Sequence, residues 1–228
     1  MIGIIGAMEI EIAGIRSVMT DTSEKNVSGI RFVCGRLGNN DVVTAVCGVG
    51  KVFAAMCAEA MILSFNPEII INTGIGGSLN ADLKIGDIVV ADKVVQHDMD
   101  TSPLGDPKGL ISGINKIYFE SDERVSKMLY ESVEAEETRV RYGTVASGDQ
   151  FIASKEQKKE ISDIFSADVC EMEGASVAQV CFVNRVPFAV LRAVSDSADE
   201  NASVDFPEFC KKTAKYYVNA VKRFAELY

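Results

Sequence analysis

Short runs of apolar, often β-branched residues alternate along this chain with longer segments whose apolar positions recur at helical spacing. The short runs predict strands at 2–6, 29–35, 41–50, 68–74, 86–95, 139–148, 168–172 and 187–195. The longer segments predict helices at 51–65, 121–137, 154–165, 173–184 and 206–226. Runs such as "EIIIN" and "PFAVL" are almost continuously apolar, which is typical of strands covered on both faces. The pattern therefore predicts an α/β protein with a mostly parallel central sheet between helices.

Length and composition fit a single folded domain. The chain has 228 residues, of which 47% are hydrophobic, and this is enough to bury a full core. One polar stretch, 98–115, is rich in Gly, Pro and Ser, but no internal repeat or low-complexity segment divides the chain. We therefore interpret residues 1–228 as one domain.

Charge and hydropathy argue against two classes of partner. The formal net charge is -10 and no run of Lys or Arg occurs, whereas nucleic-acid-binding proteins carry basic patches. No apolar run approaches the roughly 20 residues that cross a bilayer. The N-terminal segment contains Glu9 and Glu11 and lacks a basic region and a cleavage site, so it does not resemble a signal peptide. We expect neither a nucleic-acid nor a membrane partner.

The cysteines indicate a reducing compartment. None of them forms a C-x-x-C pair, and several lie inside apolar runs, so buried free thiols are expected instead of disulfides or a zinc site. The six positions are Cys34, Cys47, Cys57, Cys170, Cys181 and Cys210. This usage predicts a cytoplasmic protein.

The segments that follow each strand are the candidate ligand-binding segments, because α/β folds bind ligands beyond the carboxyl ends of their strands. They are "GAMEIE", "CGVGK", "NTGIGGS", "ASGDQFI", "EMEG" and "RAVSDSAD". The glycines predict tight turns or a close approach of the backbone to a ligand. Leu79 replaces the last glycine of G-x-G-x-x-G, and "GVGK" lacks the P-loop spacing. Dinucleotide and triphosphate binding are excluded on that basis.

The only histidine, His97 in "QHDMD", restricts the available chemistry. A Ser-His-Asp or Cys-His mechanism would depend on this one residue, and no G-x-S-x-G segment accompanies it, so hydrolysis by that route is not expected. His97 with Asp98 and Asp100 could bind a metal, but one histidine beside two carboxylates more often belongs to a local hydrogen-bond network.

Carboxylates remain as the candidate chemical groups. Glu11 follows the first strand, Glu171 and Glu173 open the segment "EMEGASVAQV", and Asp196 follows the last strand beside Arg192. Acidic residues at a helix start also complement the helix dipole, so Glu171 and Glu173 have a purely structural explanation too. Carboxylates that share one pocket can divide into an acid, a base and a cation-stabilising group when their environments separate their pKa values.

Six motifs in this order and spacing resemble those of the 5'-methylthioadenosine/S-adenosylhomocysteine nucleosidases, which are part of the nucleoside phosphorylase superfamily. The motifs are "GIIGAMEIE", "INTGIGGSL", "LKIGDIVVAD", "SGDQFI", "EMEGASVAQV" and "RAVSDSAD", and the match runs almost end to end. The resemblance implies a three-layer sandwich with a central, mostly parallel but mixed twisted sheet. It also implies cleavage of the N-glycosidic bond of 5'-thio-substituted adenosines by water, without a cofactor or a metal.

The resemblance assigns three catalytic residues. The carboxyl of Asp196 matches the acid that protonates adenine N7, because adenine leaves poorly as an anion. Glu11 matches the residue that positions and deprotonates the attacking water, and Arg192 lies where the family has an arginine near that water. The developing oxocarbenium charge would be stabilised by nearby carboxylates.

The resemblance also assigns substrate-binding residues. Glu173 matches the residue that holds the ribose 2'- and 3'-hydroxyls, with Met172 against the sugar and Glu171 as a neighbour that also contacts ribose. Phe151 would stack on the base, the backbone of Ile152 would read its N1/N6 edge and Phe206 would close over the substrate, although ordinary core packing is the alternative for these apolar residues. The remaining pocket residues of the assignment are Met8, Ile75, Gly76 and Ser195.

Two departures bear on substrate preference. Ile75 stands where some relatives have a small polar residue. In relatives, the segment matching 101–113 covers the 5'-thio group of a partner subunit, which implies a homodimer. Here Leu104 is retained, whereas Asp106 replaces an expected aromatic residue.

Two alternatives stay open at the level of sequence. A purine nucleoside phosphorylase would share the fold but would need a basic phosphate site, and Glu11 would repel that phosphate. A nucleoside-binding protein without activity is the second alternative, since a fold alone does not establish catalysis.

Overall fold

The computed structural model describes residues 1–136, 138–199, 209 and 218–228. Its strands are β1 (Ile2–Gly6), β2 (Thr20–Val27), β3 (Ile30–Leu37), β4 (Asn40–Val46), β5 (Ile69–Ser78), β6 (Ile88–Gln96), β7 (Tyr118–Glu120), β8 (Val140–Ser147), β9 (Val169–Glu171) and β10 (Phe188–Asp196). Its helices are α1 (Glu9–Ser17), α2 (Lys51–Phe65), α3 (Glu123–Glu134), α4 (Lys155–Phe165) and α5 (Gly174–Asn184), with a 3₁₀ turn at Ser102–Leu104. Residues 218–227 are also helical.

The strands form one mixed sheet around a parallel centre. In the order β2-β3-β4-β1-β5-β10-β6-β8-β9, the pairs β4–β1, β1–β5, β5–β10, β6–β8 and β8–β9 are parallel. Antiparallel pairs join β2 to β3, β3 to β4, β10 to β6 and β6 to β7. The end of β5 also pairs antiparallel with β9, so the second half of the sheet closes on itself. This closure brings the ends of β5, β9 and β10 together.

Helices cover both faces of the sheet, as the apolar pattern predicts. On one face, α2 and α5 pack their buried residues against Ile5, Val43 and Ile70 of the sheet. On the other face, α1, α3 and the helical residues 218–227 pack against Ile4, Ile71 and neighbouring side chains. A smaller cluster lies under α4. The structure is therefore the three-layer α/β sandwich that the motifs implied.

Several predicted elements need correction. The glycines of 74–77 are not a turn, because β5 continues through them to Ser78 with every residue buried. Residues 9–17 form a helix, so Glu11 lies in the first turn of α1 and not at a strand end. The strands β2 and β7 were not predicted. The predicted helix 206–226 lies mostly outside the described residues. The residues described in this segment, 209 and 218–227, are helical.

The structure also bears on the predictions about a membrane partner and about the cysteines. Within the described ranges, no helix is long and apolar enough to cross a membrane. The described cysteines are free thiols, as predicted; four are buried and Cys34 is half-buried, while Cys210 lies outside the described residues.

Candidate active site

A cleft opens where β1, β5, β9 and β10 end, and most of the predicted site residues line it. Its lining is Ala7, Met8, Glu11, Val49, Ile75, Gly76, Gly77, Gln150, Phe151, Ile152, Cys170, Glu171, Met172, Glu173, Ser195 and Asp196. Among the predicted residues, Arg192 lies buried behind the cleft and does not line it, and Phe206 falls outside the described residues. The cleft therefore contains the four predicted carboxylates, which come from segments far apart in sequence.

Glu11 is held by the main chain at the start of α1. Its Oε2 accepts hydrogen bonds from the backbone N–H groups of Ala7 at 2.7 Å and Met8 at 2.9 Å, and its Oε1 accepts from Ile75 at 3.2 Å. Burial raises the pKa of Glu11 above its ordinary value, although these hydrogen bonds and the charge of Arg192 oppose the rise. A buried carboxylate with a raised pKa is a stronger base than an exposed one, so Glu11 suits proton abstraction.

Glycines on β5 make room for the carboxylates. A Cβ atom at Gly74 would lie 2.8 Å from Oε1 of Glu11, and one at Gly77 would lie 2.8 Å from Oδ1 of Asp196. These glycines are therefore needed for close approach within a strand.

Glu171 caps α5 in place of the residue at the N-cap position. Its carboxylate accepts hydrogen bonds from the backbone N–H of Glu173 at 3.0 Å and of Gly174 at 2.8 Å, and also from the Ser147 hydroxyl. Burial alone would raise its pKa, but the Arg192 charge and these donors outweigh burial and hold the pKa of Glu171 below its ordinary value. Glu171 is therefore a permanently ionised group at the helix N-terminus.

Arg192 is 1% exposed, and its five N–H donors all have acceptors in the protein. Its Nε donates to Oε2 of Glu171 at 3.2 Å, and one Nη2 hydrogen donates to the same oxygen. The other Nη2 hydrogen donates to Oδ1 of Asn72, while Nη1 donates to the carbonyl oxygens of Asn72 at 3.0 Å and Leu191 at 2.9 Å. Arg192 thus has no donor left for a water molecule in the cleft.

Glu173, the N-cap residue of α5, faces the cleft and is free of the capping role. Its Oε1 accepts a hydrogen bond from the backbone N–H of Gly50 at 2.8 Å, where α2 begins. Burial, and then the neighbouring Glu171 carboxylate, raise the pKa of Glu173 to about 7. Glu171 and Glu173 therefore have separate environments, one strongly ionised and the other titrating near neutrality.

Asp196 ends β10 and is 2% exposed. Its Oδ1 accepts a hydrogen bond from the backbone N–H of Ala198 at 2.8 Å, and its Oδ2 lies within hydrogen-bond distance of the Ser195 hydroxyl. The same hydroxyl lies 3.2 Å from the carbonyl oxygen of Gly76. The Ser195 hydroxyl and the Ala198 N–H are thus the hydrogen-bond donors that hold the Asp196 carboxyl group at the end of β10.

The apolar wall of the cleft contains an aromatic residue that is not packed into the core. Phe151 lines the cleft and is 50% exposed, so ordinary core packing does not account for it. Ile152, by contrast, is buried in the cluster beneath α4 while it also lines the cleft. Phe151 thus contributes an aromatic ring to the wall of the cleft, and aromatic rings stack on planar ligands.

The structure adds residues that the sequence did not identify. Five further lining residues are Ala7, Val49, Gly77, Gln150 and Cys170. Burial raises the pKa of the Cys170 thiol to about 12, so it is a neutral wall residue and not a nucleophile. Most of these residues adjoin a predicted motif residue, which is the signal that could have identified them.

His97 does not form the predicted hydrogen-bond network. Its Nε2 is buried, has no hydrogen-bond partner among the described residues and packs on Gly148. Burial also lowers the pKa of His97, so the ring is neutral. Asp98 bonds instead to Lys51 and to the backbone N–H of Asp149. No group of three or more His, Cys, Asp or Glu residues in the described part of the chain is placed to hold a metal ion.

Comparisons with known proteins agree with the motifs. Residues 1–226 match the family model described as the phosphorylase superfamily. An aminodeoxyfutalosine nucleosidase of Campylobacter jejuni is 37% identical over 99% of this chain and 98% of its own. A 5'-methylthioadenosine/S-adenosylhomocysteine nucleosidase of Staphylococcus epidermidis is 40% identical over 94% of both chains.

A solved structure shares the whole fold. The 5'-methylthioadenosine/S-adenosylhomocysteine nucleosidase of Neisseria meningitidis, in complex with methylthio-immucillin-A, superimposes with a TM-score of 0.96 at 34% identity and covers 100% of this chain and 99% of its own. Fold, motifs and relatives thus agree over nearly the full length. The chain belongs to the phosphorylase superfamily, and its relatives there are nucleosidases.

Proposed function

We propose that the chain hydrolyses the N-glycosidic bond of 5'-methylthioadenosine and S-adenosylhomocysteine, giving adenine and the corresponding 5-thioribose. The observation that carries this proposal is the set Glu11, Glu173 and Asp196, which three distant segments bring into one cleft. The named activities of the Staphylococcus epidermidis and Neisseria meningitidis relatives support it. The single domain 1–228 then holds the full catalytic set.

Asp196 acts as the acid on the leaving base. A protonated Asp196 donates to adenine N7, so the base departs as a neutral molecule. The Ser195 hydroxyl and the backbone N–H of Ala198 donate hydrogen bonds to Asp196 and hold its carboxyl group in the wall of the cleft. An Asn at this position could still bond to N7 but could not protonate it.

The other carboxylates act on the sugar. As the bond breaks, the ribose gains positive charge, which ionised Glu11 and Glu173 stabilise across a desolvated cleft. Glu173 accepts hydrogen bonds from the 2'- and 3'-hydroxyls, and Glu11 removes a proton from the water that attacks the opposite face. The raised pKa of Glu11, which results from its burial, makes it a better base for this step.

The apolar wall binds the base and the thioether. Phe151 stacks on adenine, the backbone of Ile152 reads its polar edge and Met172 lies against the sugar. Met8, Ile75 and Gly76 complete the pocket, and Phe206 covers it. Val49 and Phe151 are both 50% exposed at the cleft, so the 5'-substituent can extend toward solvent. We therefore also include aminodeoxyfutalosine, named for the Campylobacter jejuni relative, among the substrates to compare.

Assembly and location complete the proposal. The chain acts as a cytoplasmic homodimer in methionine salvage, with residues 101–113 near the partner's active site. Exposed apolar side chains on α2 and α5 support a dimer. Leu104 is 84% exposed on the 101–113 segment, which suits a contact outside its own subunit, whereas Asp106 accepts a hydrogen bond from Thr101 within the segment.

Adenine release in phosphate-free buffer tests the function. We expect turnover of methylthioadenosine and S-adenosylhomocysteine but not of inosine, and a fall in kcat of at least about 100-fold in both Glu11→Gln and Asp196→Asn. Turnover that requires phosphate and releases ribose 1-phosphate would establish a phosphorylase instead. Tight binding of methylthioadenosine without adenine release over hours would indicate a binding protein.

A further inference from the structure

A second set of polar residues extends from Glu171, which lines the cleft, to buried side chains behind it. We call Asn72, Ser147, Glu171 and Arg192 the buried ion-pair cluster. Asn72 and Arg192 are each 1% exposed and Ser147 is fully buried, and none of these three lines the cleft. Such burial of two opposite charges is costly and rarely gains stability over apolar residues of similar size. The cluster therefore calls for an explanation other than stability.

The oxygens of Glu171 are fully used by the protein. Oε1 accepts from Ser147 and from the backbone of Gly174, and Oε2 accepts from the backbone of Glu173 and from Arg192. A carboxylate has about four acceptor positions, so none is left for a ribose hydroxyl. Although Glu171 lines the cleft, its hydrogen bonds serve to hold the chain on either side of Glu173.

Asn72 connects the two sides of the site. Its Nδ2 donates to the carbonyl oxygen of Ile5 in β1 at 3.0 Å, and its Oδ1 accepts from Arg192. Ser147 acts at the other end of the cluster, because its O–H group donates to Glu171 and its oxygen accepts from the backbone N–H of Ala175 in α5 at 2.7 Å. The strand that leads to Glu11 and the helix that begins after Glu173 are thus fixed to one another through side chains.

We propose that Asn72 and Ser147 are positioning residues for recognition of the ribose hydroxyls: they fix the Arg192–Glu171 pair, and that pair fixes the main chain from which Glu173 reaches the sugar. This role rests on the proposed function. Arg192 and Glu171 likewise act through Glu173 and make no contact of their own with the substrate. The geometry of Glu173 thus depends on residues that the substrate never touches.

The test compares methylthioadenosine with its 2'-deoxy analogue. The ratio of their kcat/KM values measures recognition of the 2'-hydroxyl, and it does not depend on how much of a preparation is folded. We expect Asn72→Leu and Ser147→Ala each to lower this ratio by about tenfold. The fall should come mainly from a lower kcat/KM for methylthioadenosine, with little change for the 2'-deoxy analogue. Glu173→Gln should lower it too, and combining it with Ser147→Ala should lower it no further. Ser147→Ala removes only one hydroxyl group, so this variant still tests the positioning role if Asn72→Leu does not fold.

Thr73→Val is the matched control. Thr73 neighbours Asn72 on β5 and is equally buried, and its hydroxyl has no hydrogen-bond partner among the described residues. The ratio of kcat/KM values for methylthioadenosine and its 2'-deoxy analogue should be the same in Thr73→Val as in the wild type. Wild-type turnover with ratios unchanged in Asn72→Leu and Ser147→Ala would overturn the positioning role alone. Absence of wild-type turnover would overturn the proposed function, and the positioning role with it.

Discussion

At the residue scale, Glu173 carries a charge that the folded chain disfavours. Burial and the adjacent Glu171 carboxylate raise its pKa from 4.5 to about 7. A carboxyl group whose pKa is raised by folding destabilises the fold wherever it is ionised, so the cost develops between about pH 4.5 and pH 7 and persists above that range. Placing a carboxylate where it can act on a cationic sugar thus lowers the stability of the folded chain.

Replacing Glu173 by Gln should stabilise the protein in alkaline buffer. The side chain keeps an acceptor for Gly50 but loses the disfavoured charge. We expect the free energy of unfolding in urea to rise by up to about 3 kcal/mol at about pH 8.5, and by less than about 1 kcal/mol at about pH 5. Exposed Glu134, replaced in the same way, should give no such dependence. A rise in the free energy of unfolding of Glu173→Gln that does not depend on pH would show that the lost charge is not the cause of the stabilisation.

The sequence identified most of the residues that line the cleft, and Arg192 behind it, but not Asn72 or Ser147. Glu11, Glu171, Glu173 and Asp196 were found because each lies at or shortly after the end of a predicted strand, and strand ends converge in this fold class. Asn72 lies inside a strand, and its partner Arg192 is 120 residues away. Only the register of β5 against β10 places the two side chains together, and pairing of distant strands is not encoded in local periodicity.

At the scale of elements, the long apolar strands and helices were predicted and the atypical ones were not. The polar side chains of β2 are exposed except at its end, so no apolar alternation marks this edge strand. Helix α1 has nine residues and follows β1 almost directly, and no helix was predicted there. A tight turn was one of the two interpretations of the β5 glycines, whereas here the strand continues and the missing Cβ atoms leave room for neighbouring side chains.

Gly76→Ala should disturb the closure of the sheet. The new Cβ would lie 2.5 Å from Cγ1 of Val169 and 2.7 Å from the carbonyl oxygen of Cys170, so β5 and β9 must separate. We expect a loss of about 1 to 3 kcal/mol in urea unfolding, with reduced adenine release because Glu171 follows directly. Gly3→Ala, whose Cβ would meet the flexible end of Met61, should cost less. Equal losses in the two variants would contradict the close contact between the strands.

Arg185→Gly should stabilise the end of α5. Arg185 caps this helix in the left-handed conformation, with φ at 58°, which a residue with a Cβ adopts at a cost. After the entropy that glycine loses on folding, we expect a net gain of about 0.5 to 1 kcal/mol in thermal or urea unfolding. Arg185→Ala keeps the Cβ and should give no gain. A gain in both variants would point to the arginine side chain instead of the backbone.

At the scale of the whole molecule, one face is unusually apolar for a surface. Val52, Phe53 and Leu63 of α2 and Phe182 and Val183 of α5 are between 45% and 74% exposed, on helices that pack together. Contiguous exposed apolar patches of this kind mark interaction sites in soluble proteins. The α2–α5 face is therefore the expected interface of the proposed homodimer.

Sedimentation should give a mass twice the 24.6 kDa of the chain. Val52→Glu buries a charge at the proposed interface and should shift the protein toward monomer, with a fall in activity if residues 101–113 serve the partner. Leu227→Glu, an equally drastic change at an exposed leucine outside this face, should leave the mass unchanged. A wild-type monomer would exclude the dimer.

Three of the described helices begin at the cleft, and each of their N-termini already carries a carboxylate of the chain. Glu11 bonds to the start of α1, Glu173 and Asp149 to that of α2, and Glu171 to that of α5. In other proteins such helix ends, with their positive dipoles and free N–H groups, bind phosphate or other anions. Here fixed internal anions occupy them, so the local potential favours positive charge. Flat, cationic mimics of ribose should therefore bind far more tightly than anionic nucleotides of the same size.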